Sequence, residues 1–193
     1  METSQQRIII FGFAGAGKST MANELAAHYG LRVVHPSGIM RMLLNNQAVE
    51  PDQSQHGTGF WESPEGVAFL QSRLDHDEPI DLVVDKILVQ ELDRGGVVMD
   101  SWNMPWLYPQ GIKIYLKASL DERVRRVADR CPVPLQDVRS TVMMKDEGTR
   151  TLFQRLYGID ILNDEGVFDL IIETDAKSQS DVLREIIAFC NAK

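Results

Sequence analysis

GFAGAGKS, running from Gly12 to Ser19, satisfies the spacing G-x-x-x-x-G-K-[ST] through Gly12, Gly17, Lys18 and Ser19. An apolar run, RIIIF, precedes it and a helical pattern follows, the setting that spacing requires to act as a phosphate cradle. Glycines let the backbone turn its N–H groups inward, and the helix N-terminus adds partial positive charge. A lysine in this position reaches the β- and γ-phosphates, and the hydroxyl after it is placed to ligate Mg²⁺. The loop through Gly12, Ala14, Gly15, Ala16, Gly17, Lys18, Ser19 and Thr20 is therefore expected to hold a nucleoside triphosphate. The metal needs a second oxygen ligand. Asp100 ends the run GGVVMD, so it should emerge at the C-terminal edge of a buried strand, beside the loop. There it could hold the metal through water or position the acceptor. Lys18 and Asp100 are the catalytic candidates at this end.

A cradle does not name the acceptor. Phosphoryl transfer needs positive charge around the moving group and a closed site. Asp121 to Arg155 holds eight basic residues and six acidic ones, a positive balance in a chain whose net charge is −8. Within it Arg123, Arg126 and Arg130 recur at helical spacing in RVRRVADR, and a mobile basic segment over the triphosphate would supply what the loop lacks.

These residues need a scaffold. Arg7–Phe13, Leu31–Val34, Gly96–Asp100, Ile112–Leu116 and Phe168–Thr174 read as short buried strands. Helical patterns alternate with them: one from Lys18 stopped by Gly30, one over Pro79–Arg94, one opened by a Ser119-x-x-Glu122 capping box, and one over Asp181–Cys190. Continuous apolar strands separated by helices predict a parallel sheet covered on both faces. Two stretches break the alternation. Asn45–Glu65 is polar and rich in turn residues, with His56 and a Phe60-Trp61 pair that carry no assignment; Cys131–Tyr157 is helical and basic. Both are expected to be excursions of a single domain that handle substrate.

Composition narrows the class. The chain has 193 residues, 44% of them hydrophobic, enough for one domain with a sizeable core. Its acidic balance argues against broad nucleic-acid binding. Cys131 and Cys190 form no C-x-x-C pair, which fits a reducing, cytoplasmic compartment. METSQQR lacks an apolar leader, and no apolar run approaches the ~20 residues that span a bilayer. The expectation is a cytoplasmic, monomeric protein without membrane or nucleic-acid partners.

Several segments, in order, resemble the short cytidylate kinases of the archaeal type, within the nucleoside monophosphate kinases of the P-loop class. KDEGTRTLFQRLYGIDILNDEGVFDLIIETD is similar to that family's basic-acidic lid helix, Y-G-I-D, acidic turn and final strand. LDERVRRVADR resembles its R-x-x-R-I-x-x-R, PIDLVVDK its I-D-x-x-x-D helix, and SGIMR its acceptor segment ending in arginine. The resemblance implies a P-loop fold with a five-stranded parallel sheet, helices on both faces, an acceptor-binding segment over about 36–94 and a lid over about 131–157. It implies transfer from ATP, with Mg²⁺, to a nucleotide acceptor, CMP or dCMP. By the same resemblance Arg41 grips the acceptor phosphate, Asp81 and Asp85 face the acceptor, and Arg126 and Arg130 lead into the lid over ATP. Lys145 stands where the family carries a catalytic lid arginine, and Arg150 matches a second lid arginine. The residues agree in part: Arg41 sits beside an apolar stripe and could clamp a phosphate with two hydrogen bonds. Asp81 and Asp85, one turn apart, repel each other unless something binds them.

The resemblance breaks after the third strand. Where the family has E-G-R, this chain has Asp100-Ser101-Trp102, so an acceptor-phosphate arginine is replaced by a ring that stacks or packs. Lysine at 145 lacks the fork of an arginine. Two other readings stay open at this point: a P-loop kinase for another small acceptor, and a non-catalytic ATP-binding paralogue. A GTPase is disfavoured, because no N-K-x-D motif occurs.

Overall fold

The structure, a computed structural model, describes residues 5–51, 66, 68–69, 72–73, 80–130 and 134–193. Most of the polar excursion, with His56 and the Phe60-Trp61 pair, lies outside these residues, as do Pro79 and Cys131.

Strand β1 (Arg7–Phe11) is the centre of a five-stranded sheet with β2 (Arg32–Val34), β3 (Val97–Asp100), β4 (Ile112–Lys117) and β5 (Leu170–Glu173). The order is β2-β3-β1-β4-β5 and every pairing is parallel. All five expected strands form, four of them trimmed at their ends and β4 one residue longer, through Lys117. Alternation along β1 divides the core. Ile8 and Ile10 pack with Ala22 and Leu25 of α1 (Lys18–Tyr29) and with residues 182 and 186 of a C-terminal helix. Ile9 faces the other side, among Val34, Ile39, Val84 and Leu88. The helices there are α2 (Pro36–Leu44) and α3 (Ile80–Arg94). Each such fully buried aliphatic side chain contributes about 1.5–3 kcal/mol of burial, so the sheet is held from both faces.

Three of the remaining four helices serve the C-terminal edge of the sheet, while the last packs beside α1. A single turn, α4 (Met104–Leu107), follows β3; α5 (Leu120–Ala128) follows β4; α6 (Leu135–Tyr157) runs 23 residues to a left-handed Gly158; and α7 (Gln179–Ala192) closes the chain. Val124 and Val127 of α5 pack on Val138 and Val142 of α6. Leu152 and Phe153 of α6 join Phe11 and Tyr115 in a separate aromatic-lined cluster.

One capping expectation needs correction. Ser119 does accept the Glu122 amide, at 3.3 Å, but its own amide donates to Asp175 at 2.8 Å instead of to Glu122. The Glu122 carboxylate is drawn off by Arg125 and Arg126. The complete box lies at the start of α7, between Ser178 and Asp181. Among the described residues, no helix is long and apolar enough to cross a membrane.

Candidate active site: a phosphate cradle facing two carboxylates

β1 delivers the chain to Gly12, and α1 begins at Lys18. Between them Gly15 (φ 83°) and Gly17 (φ 95°) adopt left-handed backbone, which costs a residue with a Cβ roughly 1–2 kcal/mol. At Gly15 space is also closed: a Cβ would stand 2.6 Å from the Arg123 carbonyl oxygen. The Lys18 ammonium is held by the carbonyls of Gly12 (2.6 Å) and Phe13 (3.2 Å) and lies 4.9 Å from the centre of the Trp102 ring. Burial pulls its pKa down to about 8, with Asp100 and Asp146 acting the other way.

β3 lies next to β1 with Ile10 opposite Asp100, so the carboxylate arrives beside the loop as expected. Ser19 Oγ donates to Asp100 Oδ2, and His35 Nδ1 lies 2.8 Å from Oδ1. Burial alone would raise the Asp100 pKa. The hydrogen bonds from His35 and Ser19 and the Lys18 charge outweigh it, and the net shift is downward. Asp100 is thus an ionised carboxylate, 6% exposed.

Across the cavity α3 presents two more carboxylates, Asp81 buried and Asp85 half-buried. Asp81 accepts from both Nε (3.0 Å) and Nη2 of Arg73. Asp85 accepts from Asn103 Nδ2 (2.9 Å) and from the Tyr157 hydroxyl. Burial raises Asp85 to about 6 despite those two donors, and burial with the nearby Asp85 charge raises Tyr157. The turn after β3 joins both ends of the cavity. Ser101 Oγ donates to Asn103 Oδ1 at 3.1 Å and accepts the Met104 amide at 3.2 Å, which aims Asn103 at Asp85.

Over the cradle, α5 and α6 meet the loop directly. Arg123 Nη1 donates to Asp146 Oδ2 (2.6 Å) and to the Ala14 carbonyl (3.1 Å), while the Ala14 amide donates to Asp146 Oδ1 at 3.4 Å. Arg126 reaches the other side of the loop, where it donates to the Ala16 carbonyl at 3.4 Å. Its guanidinium donates to the Thr174 hydroxyl (3.0 Å) and carbonyl (2.9 Å) and to Glu122 (2.7 Å).

One cavity joins most of the residues singled out in the sequence. Ala14, Gly15, Gly17, Lys18, Ser19, Thr20, Asp81, Asp85, Asp100, Trp102, Arg130 and Lys145 all line it. Ala16 and Arg126 line a second hollow, shared with Thr20, Arg130 and Thr174, between the loop and α5. Gly12 is buried beneath the loop, where a Cβ would meet the Leu116 carbonyl at 2.7 Å. Arg41 and Arg150 are not brought to the cavity wall. Arg41 is half-buried on α2, and its pKa is drawn down by burial; Arg150 pairs with Glu147 at 2.8 Å on the surface of α6.

Five participants were not singled out from the sequence: His35, Arg73, Asn103, Asp146 and Tyr157. Each reaches the site by chain geometry that no local pattern encodes. An indirect signal existed for three of them. Tyr157 opens the Y-G-I-D stretch, and the repulsion between Asp81 and Asp85 demands nearby donors, which Arg73, Asn103 and Tyr157 supply.

Residues 7–176 match the cytidylate kinase-like family. A cytidylate kinase of Ignicoccus hospitalis is 28% identical over 181 residues, covering 93% of this chain and 95% of that protein. Another from Pyrobaculum aerophilum is 32% identical over 179 residues, covering 92% of this chain and 88% of that protein. Among solved structures, an uncharacterized protein from Eubacterium ventriosum superposes with a TM-score of 0.68 at 16% identity, covering 98% and 99% of the two chains. A shikimate kinase from Bacteroides thetaiotaomicron gives 0.60 at 13% identity over 96% and 98%. At such identities these two show the fold alone, that of P-loop kinases. The chain belongs to the cytidylate kinase-like family, and it is a nucleotide kinase.

Proposed function

We propose that this member of the cytidylate kinase-like family transfers the γ-phosphoryl group of ATP to a nucleoside monophosphate, CMP or dCMP, giving ADP and the diphosphate. The observation that carries the reading is the single cavity running from Lys18, Ser19 and Asp100 to Asp81 and Asp85. It fits a donor triphosphate at one end and a polar acceptor base at the other, with the phosphates meeting between.

The chain's own residues account for most of the chemistry. Backbone amides of the loop and the Lys18 ammonium bind the transferring phosphates and stabilise charge that builds on them. Arg130 and Lys145, both lining the cavity, add positive charge there, and Arg126 borders the hollow that continues from the loop towards Thr174. Ser19 and Asp100 are hard oxygen donors side by side, which suits Mg²⁺. Among the described residues no group of three or more His, Cys, Asp or Glu is placed to hold a metal alone. The ion would therefore rely on phosphate oxygens and water for its other ligands, and would supply charge neutralisation. Asp81 and Asp85 present fixed carboxylate edges that can accept hydrogen bonds from an exocyclic amine.

Arg41 and Arg150 remain part of the reading as acceptor-phosphate grips. Because neither lines the cavity, α2 or α6 must shift for them to reach it. Residues from about 131 to 157, with α6, are the proposed lid, and residues from about 36 to 94 the proposed acceptor region. The deciding experiment is an ATP-consumption assay with CMP, dCMP, UMP, AMP, GMP and dTMP, and ATP alone as blank. Turnover concentrated on CMP and dCMP is expected. Tight ATP binding with no turnover on any of the panel would overturn the acceptor assignment.

A further inference from the structure

We infer that His35 is a positioning residue for phosphoryl transfer, pinning one oxygen of Asp100 so that the other stays turned to Ser19 and the cradle. The inference rests on reading Asp100 as the metal-side carboxylate.

The sheet puts His35 where this is possible. Val34 pairs with Met99, so the next residue of each chain, His35 and Asp100, lie side by side at the C-terminal edge. The backbone at His35 is held twice: it follows the last strand residue, and its carbonyl accepts the Gly38 amide (2.9 Å) and the Ile39 amide (3.3 Å) as α2 begins. Pro36 at the first helical turn fixes the exit. The side chain is 2% exposed. It therefore reaches Asp100 from a rigid base in a space closed to solvent.

The chemistry at the contact has one direction. An ionised carboxylate only accepts, so Nδ1 carries the proton and donates to Asp100 Oδ1. Nε2 lies 3.1 Å from the side-chain amide of Asn23, on α1. That amide can meet either state of Nε2 by turning through 180°, so it keeps the ring oriented. The carboxylate is the part that needs holding. Rotation about the terminal bond of an aspartate is soft, and the Ser19 hydroxyl donates to Oδ2. With Oδ1 pinned, Oδ2 keeps its direction when Ser19 turns to another partner. Groups that orient a ligating carboxylate in this way typically affect metal affinity by about 10–100-fold.

The test is a Mn²⁺ titration followed by electron paramagnetic resonance, on the full chain with the β,γ-imido analogue of ATP. Alongside the wild type it takes Asp100→Asn, His35→Leu, His35→Asn and His35→Gln, each checked for a cooperative thermal melt. His35→Leu should weaken Mn²⁺ by about 10-fold or more and leave binding of the analogue without metal unchanged. His35→Asn carries an N–H near the position of Nδ1 and should recover most of the loss. His35→Gln reaches towards Asn23 instead and should not. In turnover, the Mg²⁺ concentration giving half the maximal rate should rise in the same order. Wild-type Mn²⁺ affinity in a folded His35→Leu, or equal losses in His35→Asn and His35→Leu, would overturn the inference. Should Asp100→Asn keep its Mn²⁺ affinity, the reading of Asp100 itself fails and the role of His35 falls with it. Should Asp100→Asn lose Mn²⁺ while His35→Leu does not, only the His35 inference fails.

Discussion

At the cradle end of the cavity, eight consecutive residues supply the glycines, the lysine and the hydroxyl, and one strand end supplies Asp100. At the acceptor end, Asp81 and Asp85 come from α3, but their partners Arg73, Asn103 and Tyr157 come from three other places in the chain. The cradle is a local object, written as spacing and fixed by the loop backbone. The acceptor end is an assembled one, and its carboxylates are already hydrogen-bonded by the protein itself. This difference in construction means the two ends should respond to substitution in different ways.

The sharpest way to break the contrast is Lys18→Ala. Loss of the ammonium that touches the transferring phosphates should lower kcat about 10²–10³-fold or more, measured by steady-state turnover, while thermal stability stays close to wild type. Near-normal turnover would remove the cradle as the catalytic end. Next in size is Asp81→Ala. It leaves the Arg73 guanidinium buried without its bidentate partner, which costs about 3–5 kcal/mol, so the melting temperature should fall markedly. A melt within a degree of wild type would show that Arg73 readily finds another partner.

Asp85→Asn sharpens the comparison. The folded-state pKa of about 6 lies above the ordinary aspartate value of 3.8. Stability from this group is therefore fully present below about pH 4 and is lost as pH rises through about 6. The neutral amide should thus stabilise the fold at pH 7, by up to about 2 kcal/mol, while raising KM for the acceptor and leaving KM for ATP unchanged. Equal rises in both KM values would place Asp85 outside acceptor recognition. Arg41→Ala should likewise affect the acceptor more than ATP. The smallest effect is titration of Lys18. With a pKa of about 8 in the free protein, its charge fades as pH rises through that value. Triphosphate affinity should then decline by no more than about tenfold per pH unit, and Lys18→Arg should move the decline to higher pH.

Much of the fold was open to the sequence because it is written in runs. Each of the five strands is a short, largely aliphatic stretch, with β1 and β3 buried along nearly their whole length and the edge strand β5 leaving Ile171 exposed, and helices between them carry visible stops or starts, such as the left-handed Gly30 after α1. The cradle was legible for the same reason. Asp100 could be placed because a strand end has only one edge to emerge from. His35 could not, since its importance comes from the order β2-β3-β1, which sets it beside Asp100 across the ladder. The pairing of Glu122 was misread because two arginines one turn away offered stronger hydrogen bonds than the Ser119 amide. Arg150 is legible only through the resemblance, as a lid arginine; in the structure it pairs with Glu147 on the surface of α6.

The Trp102 ring and the Lys18 ammonium, 4.9 Å apart, also give the protein an optical gauge of its own cradle. A cation over an indole face shifts the energy of the excited state. Any phosphate that draws Lys18 away from Gly12 and Phe13 therefore changes the light that Trp102 emits. In a chain with the other two tryptophans, Trp61 and Trp106, replaced by phenylalanine, occupancy of the loop becomes readable as emission wavelength, without a label and without turnover.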